Sequence, residues 1–157
     1  MHIRKSSTNT KDGEEAIKYL AKELDSKESK LSILFVSSSY DLKKIEPYIL
    51  EYMGENVVAC TTAGEIGKEG YCADSISGIS FLGDDFETTV LDIPSLDYFT
   101  QDLAKVLRAK TLESIAAHNR SVENGKTFAM LLVDGLAMKE ESTTGTLSHV
   151  LPADIPL

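Results

Sequence analysis

The chain has 157 residues, 42% apolar and 26% charged, which suits one soluble globular domain with a real core. Its 25 acidic residues against 16 basic ones leave a net charge of −9, which argues against nucleic acid or an anionic membrane as the main partner. No apolar run approaches the roughly 20 residues of a membrane helix, the N-terminus lacks the apolar core of a signal peptide, and Cys60 and Cys72 make neither a disulfide framework nor a zinc quartet, so a cytoplasmic setting is expected.

Residues 3–7 read as a short edge strand. Asp12 stands as an N-cap acid three residues before Glu15, and Ala16, Ile17, Leu20 and Leu24 recur at helical spacing, which predicts a helix over 13–27. Residues 26–30 are a polar connection. The run 31–36, Leu-Ser-Ile-Leu-Phe-Val, predicts a strand that ends in Ser37-Ser38-Ser39-Tyr40-Asp41. Leu42, Ile45, Ile49, Tyr52 and Met53 mark a second helix that stops at Gly54, with Pro47 kinking it or starting a new turn. Residues 57–60, Val-Val-Ala-Cys, predict a buried strand that ends in Thr61, Thr62, Gly64 and Glu65.

Beyond Tyr71 two β-rich runs, 76–82 and 86–93, predict a hairpin turning at Gly83-Asp84-Asp85. A long amphipathic helix follows over 97–118, with Phe99, Leu103, Val106, Leu107 and Ile115 towards the core. Residues 120–126 read as a polar loop and 127–133 as a third buried strand, ending in Asp134-Gly135. Residues 139–150 are helical in pattern, weakened by Thr143, Thr144 and Gly145. This order predicts an α/β domain: a mixed, largely parallel sheet with helices packed on it and one antiparallel hairpin.

In open α/β sheets ligands bind beyond the carboxyl ends of the strands. Three strands here end in hydroxyls, glycines and acids: Ser38, Tyr40 and Asp41, then Thr61, Thr62, Gly64 and Glu65, then Asp134. As parallel neighbours they would form a rim for a small polar ligand bearing an amine. The same residue types also serve as ordinary caps and turns, and both readings stand at this point. Gly67-Lys68 resembles the end of a P-loop, but Thr62 occupies the upstream glycine position and Glu69 follows the lysine, so phosphate cradling fails. Cys60 has no histidine in a recognisable pairing and reads as a small buried residue rather than a nucleophile. His2, His118 and His149 are not spaced as metal ligands.

The segments Ser-Ser-Ser-Tyr-Asp-Leu (37–42), Val-Val-Ala-Cys-Thr-Thr-Ala-Gly-Glu-Ile-Gly (57–67), Gly-Tyr-x-x-x-Ser-Ile (70–76) and Leu-Leu-Val-Asp-Gly-Leu (131–136) together resemble the FIST N-terminal domain, over residues 7–157. Ala59 replaces the glycine usual in that family's Gly-Cys-[Ser/Thr]-Thr-Ala-Gly-Glu-Ile core. The resemblance implies a non-enzymatic, cytoplasmic sensory input domain. Its small ligand would be an amino acid or a relative, and its partners a FIST C-terminal domain and an output such as a histidine kinase, cyclic-dinucleotide enzyme or chemotaxis receptor. Some similar proteins bind haem and sense nitric oxide. Haem is therefore the alternative cofactor, to be held by His2, His118 or His149. A cysteine-dependent hydrolase or transferase using Cys60 is the second alternative. The family pattern continues past Leu157, so a fragment is expected whose exposed sheet edge invites self-association.

Overall fold

Asp12 begins the first helix as the sequence requires: its carboxylate accepts the Glu15 backbone N–H at 3.0 Å. The helix, α1 (Gly13–Leu24), places Ala16, Ile17, Leu20 and Leu24 on one fully buried face. These residues belong to the first of two units, Met1–Val90 and Leu91–Leu157, in a computed structural model that describes residues 1–67, 70–118 and 126–157.

The first unit is built on β1 (His2–Thr8), β2 (Ser29–Ser37), β3 (Val57–Thr62) and β6 (Ile76–Leu82), in the order β1-β6-β2-β3. β6 pairs antiparallel with β1 and β2, and β2 pairs parallel with β3. The class is thus α/β with a mixed sheet, as expected, but only one of its pairings is parallel. A separate small hairpin joins β4 (Glu65–Gly67) to β5 (Gly70–Cys72).

The two sides of the sheet differ in chemistry because side chains alternate along a strand. Leu34 and Val36 of β2 and Ile76 of β6 share a core with α1 and with Ile45 and Met53 of α2 (Leu42–Met53). Gly78 lets α1 come close: a Cβ there would lie 2.6 Å from Leu24 Cδ1 and 2.8 Å from Leu34 Cδ2. Ser80 and Ser29 continue this close contact by donating to the carbonyls of Leu24 and Ser26. Helix α2 runs through Pro47 without a break and stops at Gly54, whose φ of 90° is the left-handed region open to glycine.

Three expectations are corrected here. Residues 86–93 form no strand, so the hairpin expected over 76–93 is absent. β6 already has β1 on one side and β2 on the other, which leaves no ladder for a third partner. Strand β3 is not buried on both sides; it is the edge of the sheet and partly exposed along its length.

The third correction falls in the second unit. Residues 127–133 belong to no described strand. Among the described residues the Ala129 N–H bonds the Pro156 carbonyl at 2.8 Å, and Phe128, Met130 and Leu132 are exposed. The described helices there are α3 (Gln101–Ala117) and α4 (Glu140–Val150). Helix α3 starts later than expected because Thr100, not a residue near 97, caps it by accepting the Leu103 N–H at 3.3 Å. Of the face expected to be apolar, Leu107 is buried and Val106 is exposed. Residues 120–125 of the expected polar loop lie outside the described residues.

Candidate functional site

Register decides which of the strand-end residues meet. Ser37 of β2 stands opposite Thr62 of β3, and Phe35 opposite Cys60, on the side of the sheet away from α1 and α2. Thr61 pairs with Val36 and belongs to the other side, where it is exposed. On β6 the same alternation puts Ser77 with Phe35, and on β1 it puts Ser7 with Ser77. One side of the sheet therefore carries Ser7, Ser77, Ser37 and Thr62 towards the carboxyl ends of β2 and β3.

Glu65, the first residue of β4, is only 2% exposed and is bonded to one of these hydroxyls. The Thr62 hydroxyl donates to its Oε1, while the Ser75 hydroxyl (2.8 Å) and the Ser75 N–H (3.3 Å) donate to Oε2. These bonds tie the end of β3, the hairpin and the entry to β6 to one carboxyl group. Ser75 also closes on β2, its carbonyl accepting the Ser37 N–H at 3.0 Å. Three donors among the described residues fill three of about four acceptor sites on a carboxylate. Among the described residues Glu65 has no ion-pair partner.

The surroundings are set by Tyr40 and Asp74. Tyr40 is buried and donates its hydroxyl to the Thr10 carbonyl at 2.6 Å. Burial pushes its pKa up, and the negative charges of Asp74 and Glu65 push it further. Lys11, 3.1 Å from Asp74, holds that carboxylate below its usual range, with the Ser39 hydroxyl adding to the effect. Gly64 lies directly under the ring of Tyr71: a Cβ would stand 2.4 Å from its Cε2 and hydroxyl oxygen. A side chain there would require the Tyr71 ring, which is 71% exposed, to move aside.

Of the residues expected at the site, Thr62 and Glu65 are bonded together, Gly64 adjoins them and Tyr40 feels the Glu65 charge. Ser38 and Asp41 are exposed, and Asp41 is occupied as the α2 cap, accepting the Lys43 N–H at 3.1 Å. Asp134 belongs to the second unit, where it accepts the Leu136 N–H at 2.9 Å in a turn. Sequence reasoning placed Ser37 at the strand end and passed over Ser7, Ser75 and Ser77. The alternation Ser75-Ile76-Ser77 was the available signal, since period-two serines put hydroxyls on one side of a strand.

Two shallow concavities, of about 300 and 350 Å³, lie at the opposite end of the first unit, near Lys27 and Asn56. Neither includes Thr62, Glu65 or Ser75. Lys18, which lines the first, is already paired with Glu14 at 2.6 Å. The buried Glu65 carboxyl, with no ion-pair partner among the described residues, is the stronger chemical feature.

Burial raises the pKa of the Cys60 thiol, the opposite of nucleophile activation. At neutral pH its alkylation by iodoacetamide in a Cys72→Ser background should be slower than that of free cysteine; a faster rate would restore Cys60 as a nucleophile. His118 caps α3, its Nδ1 2.8 Å from the Ser114 carbonyl, while His2 lies in β1 and His149 in α4. Among the described residues no three His, Cys, Asp or Glu side chains are grouped to hold a metal ion, and no helix is long and apolar enough to cross a membrane.

The first unit is thus a mixed-sheet α/β unit with a polar side-chain cluster at the ends of β2 and β3. The profile of the FIST N domain family matches residues 30–157, and the chain belongs to that family, whose members are sensory domains of signal transduction. No curated protein and no solved structure matches it.

Proposed function

We propose that this chain is the sensory input of a signalling protein and binds a small amine-bearing metabolite, such as an amino acid, at the carboxyl ends of β2 and β3. The observation that carries the reading is Glu65, a carboxyl group 2% exposed, held by hydroxyl and amide donors and with no cation beside it among the described residues. A buried acid without a counter-charge is costly, and a cationic ligand supplies the missing charge. Thr62 and Gly64 flank it, and Ser38 and Asp41 stand as outer positions of the same proposal. The output, a FIST C-terminal domain coupled to a kinase, cyclic-dinucleotide enzyme or chemotaxis receptor, also belongs to it.

The test is thermal-shift screening of the common L-amino acids and simple amines against wild type and Glu65→Gln. A compound that raises the wild-type Tm should lose most of its effect in the variant. Equal stabilisation of both proteins would remove Glu65 from the site.

A further inference from the structure

Ser77 carries a buried hydroxyl on the side of β6 away from α1 and α2. It is 8% exposed, and its Oγ alone among the described buried side-chain polar atoms has no hydrogen-bond partner. Buried polar groups are normally satisfied, and a hydroxyl left without a partner is destabilising. An apolar residue of similar size would avoid that cost.

Its position connects it to the Glu65 cluster. Ser77 lies two residues beyond Ser75, which holds the Glu65 carboxyl, so the two are about 7 Å apart along the chain. On its other side Ser77 faces Ser7 across the β1–β6 pairing. The β4–β5 hairpin lies over this part of the sheet: a Cβ on Gly67 would meet Ser7 Oγ at 2.7 Å and Cys72 Sγ at 3.7 Å. The hairpin has three residues in each strand, and one antiparallel pairing with no other strand beside it.

We propose that Ser77 is a ligand-contacting residue that sets specificity, its hydroxyl donating to an acceptor group of the molecule whose cationic end is taken by Glu65. The inference rests on the function proposed above. It extends the site across β6 towards β1 and defines the ligand as one with a cationic nitrogen and an oxygen acceptor a few ångströms apart.

The experiment uses the full chain and the L-amino acid that gives the largest thermal shift, with the simple amine lacking its carboxylate as the second probe. Affinities are measured by calorimetric titration for wild type, Ser77→Ala and Ser77→Thr. Ser77→Ala is expected to keep or raise the Tm of the free protein, because it removes an unsatisfied hydroxyl. It is expected to weaken the amino acid about tenfold and to leave the simple amine unchanged. Ser77→Thr, which keeps the hydroxyl, should retain more of the affinity than Ser77→Ala.

Unchanged amino-acid affinity in Ser77→Ala overturns the inference, whatever happens to stability, and leaves a hydroxyl satisfied by water alone. Equal weakening of both probes also overturns it, because the loss would then be one of structure rather than of an acceptor contact. Absence of binding by any amino acid ends the proposed function and this inference with it. Binding that depends on Glu65 but not on Ser77 ends the inference alone.

Discussion

Leu20→Ala is expected to lower the unfolding free energy by about 2–5 kcal/mol. Leu20 is fully buried, and it shares its core with Ile17 and Leu24 of α1, Leu34 and Val36 of β2, and Ile76 of β6. Removing its terminal carbons takes away apolar burial and leaves a void that the neighbouring strands fill only in part. Because Gly78 already brings α1 close to the sheet, the helix has little room to settle further. Urea unfolding followed by far-UV circular dichroism checks the value, with Glu23→Ala on the exposed face of the same helix as the control. A loss below about 1 kcal/mol would show that α1 is not seated as described.

Glu65→Ala is expected to cost about 3 kcal/mol, the upper end of the range for stranded buried donors. It leaves the Thr62 hydroxyl and both Ser75 donors without their acceptor. Glu65→Gln should be far milder. The amide oxygen can keep both Ser75 bonds, while the Thr62 hydroxyl rotates to accept from the new NH2 group. The expected result is a Gln variant within about 1 kcal/mol of wild type and an Ala variant well below it. Equal losses in the two would mean that the carboxyl charge, not its acceptor geometry, holds the three segments together.

The parts of the fold that were legible in the sequence are those specified locally. Asp12, Ala16, Ile17, Leu20 and Leu24 carry both the start and the buried face of α1, and the structure uses each of them as the spacing implies. Residues 31–36 form the heart of β2, and β1 is an edge strand as its position suggested. What was not legible depends on partners far along the chain. Residues 86–93 are as β-prone as many strands, yet their intended neighbour, β6, is occupied on both sides. Residues 127–133 have the apolar run of a buried strand, but pairing is a property of two segments and no run of residues names the second.

The candidate site divides in the same way. Thr62, Gly64 and Glu65 lie within four residues, and the abrupt change from apolar to polar marked them. Thr61 looks equivalent to Thr62 in sequence, but the register of β3 against β2 sends the two to opposite sides of the sheet. Ser75 and Ser77 reach Glu65 and its surroundings only through the long connection that brings β6 back beside β2. A hydroxyl's chemistry is visible in one letter; its neighbours are not.

The place of β6 between β1 and β2 also orders events during synthesis. Helices α1 and α2 form in microseconds or less once their residues are free, and β2 can meet β3 as soon as Thr62 has left the ribosome. β1 has no such early partner, because His2 pairs with Leu82 and Thr8 with Ile76. At about 5–20 residues per second, the nascent chain spends several seconds with its first strand unattached and the β6 side of β2 vacant. β6 then enters between them and completes two long-range ladders at once, the slow kind of step in folding. Ser75 arrives with it, so the carboxyl of Glu65 gains two of its three donors only when the sheet closes.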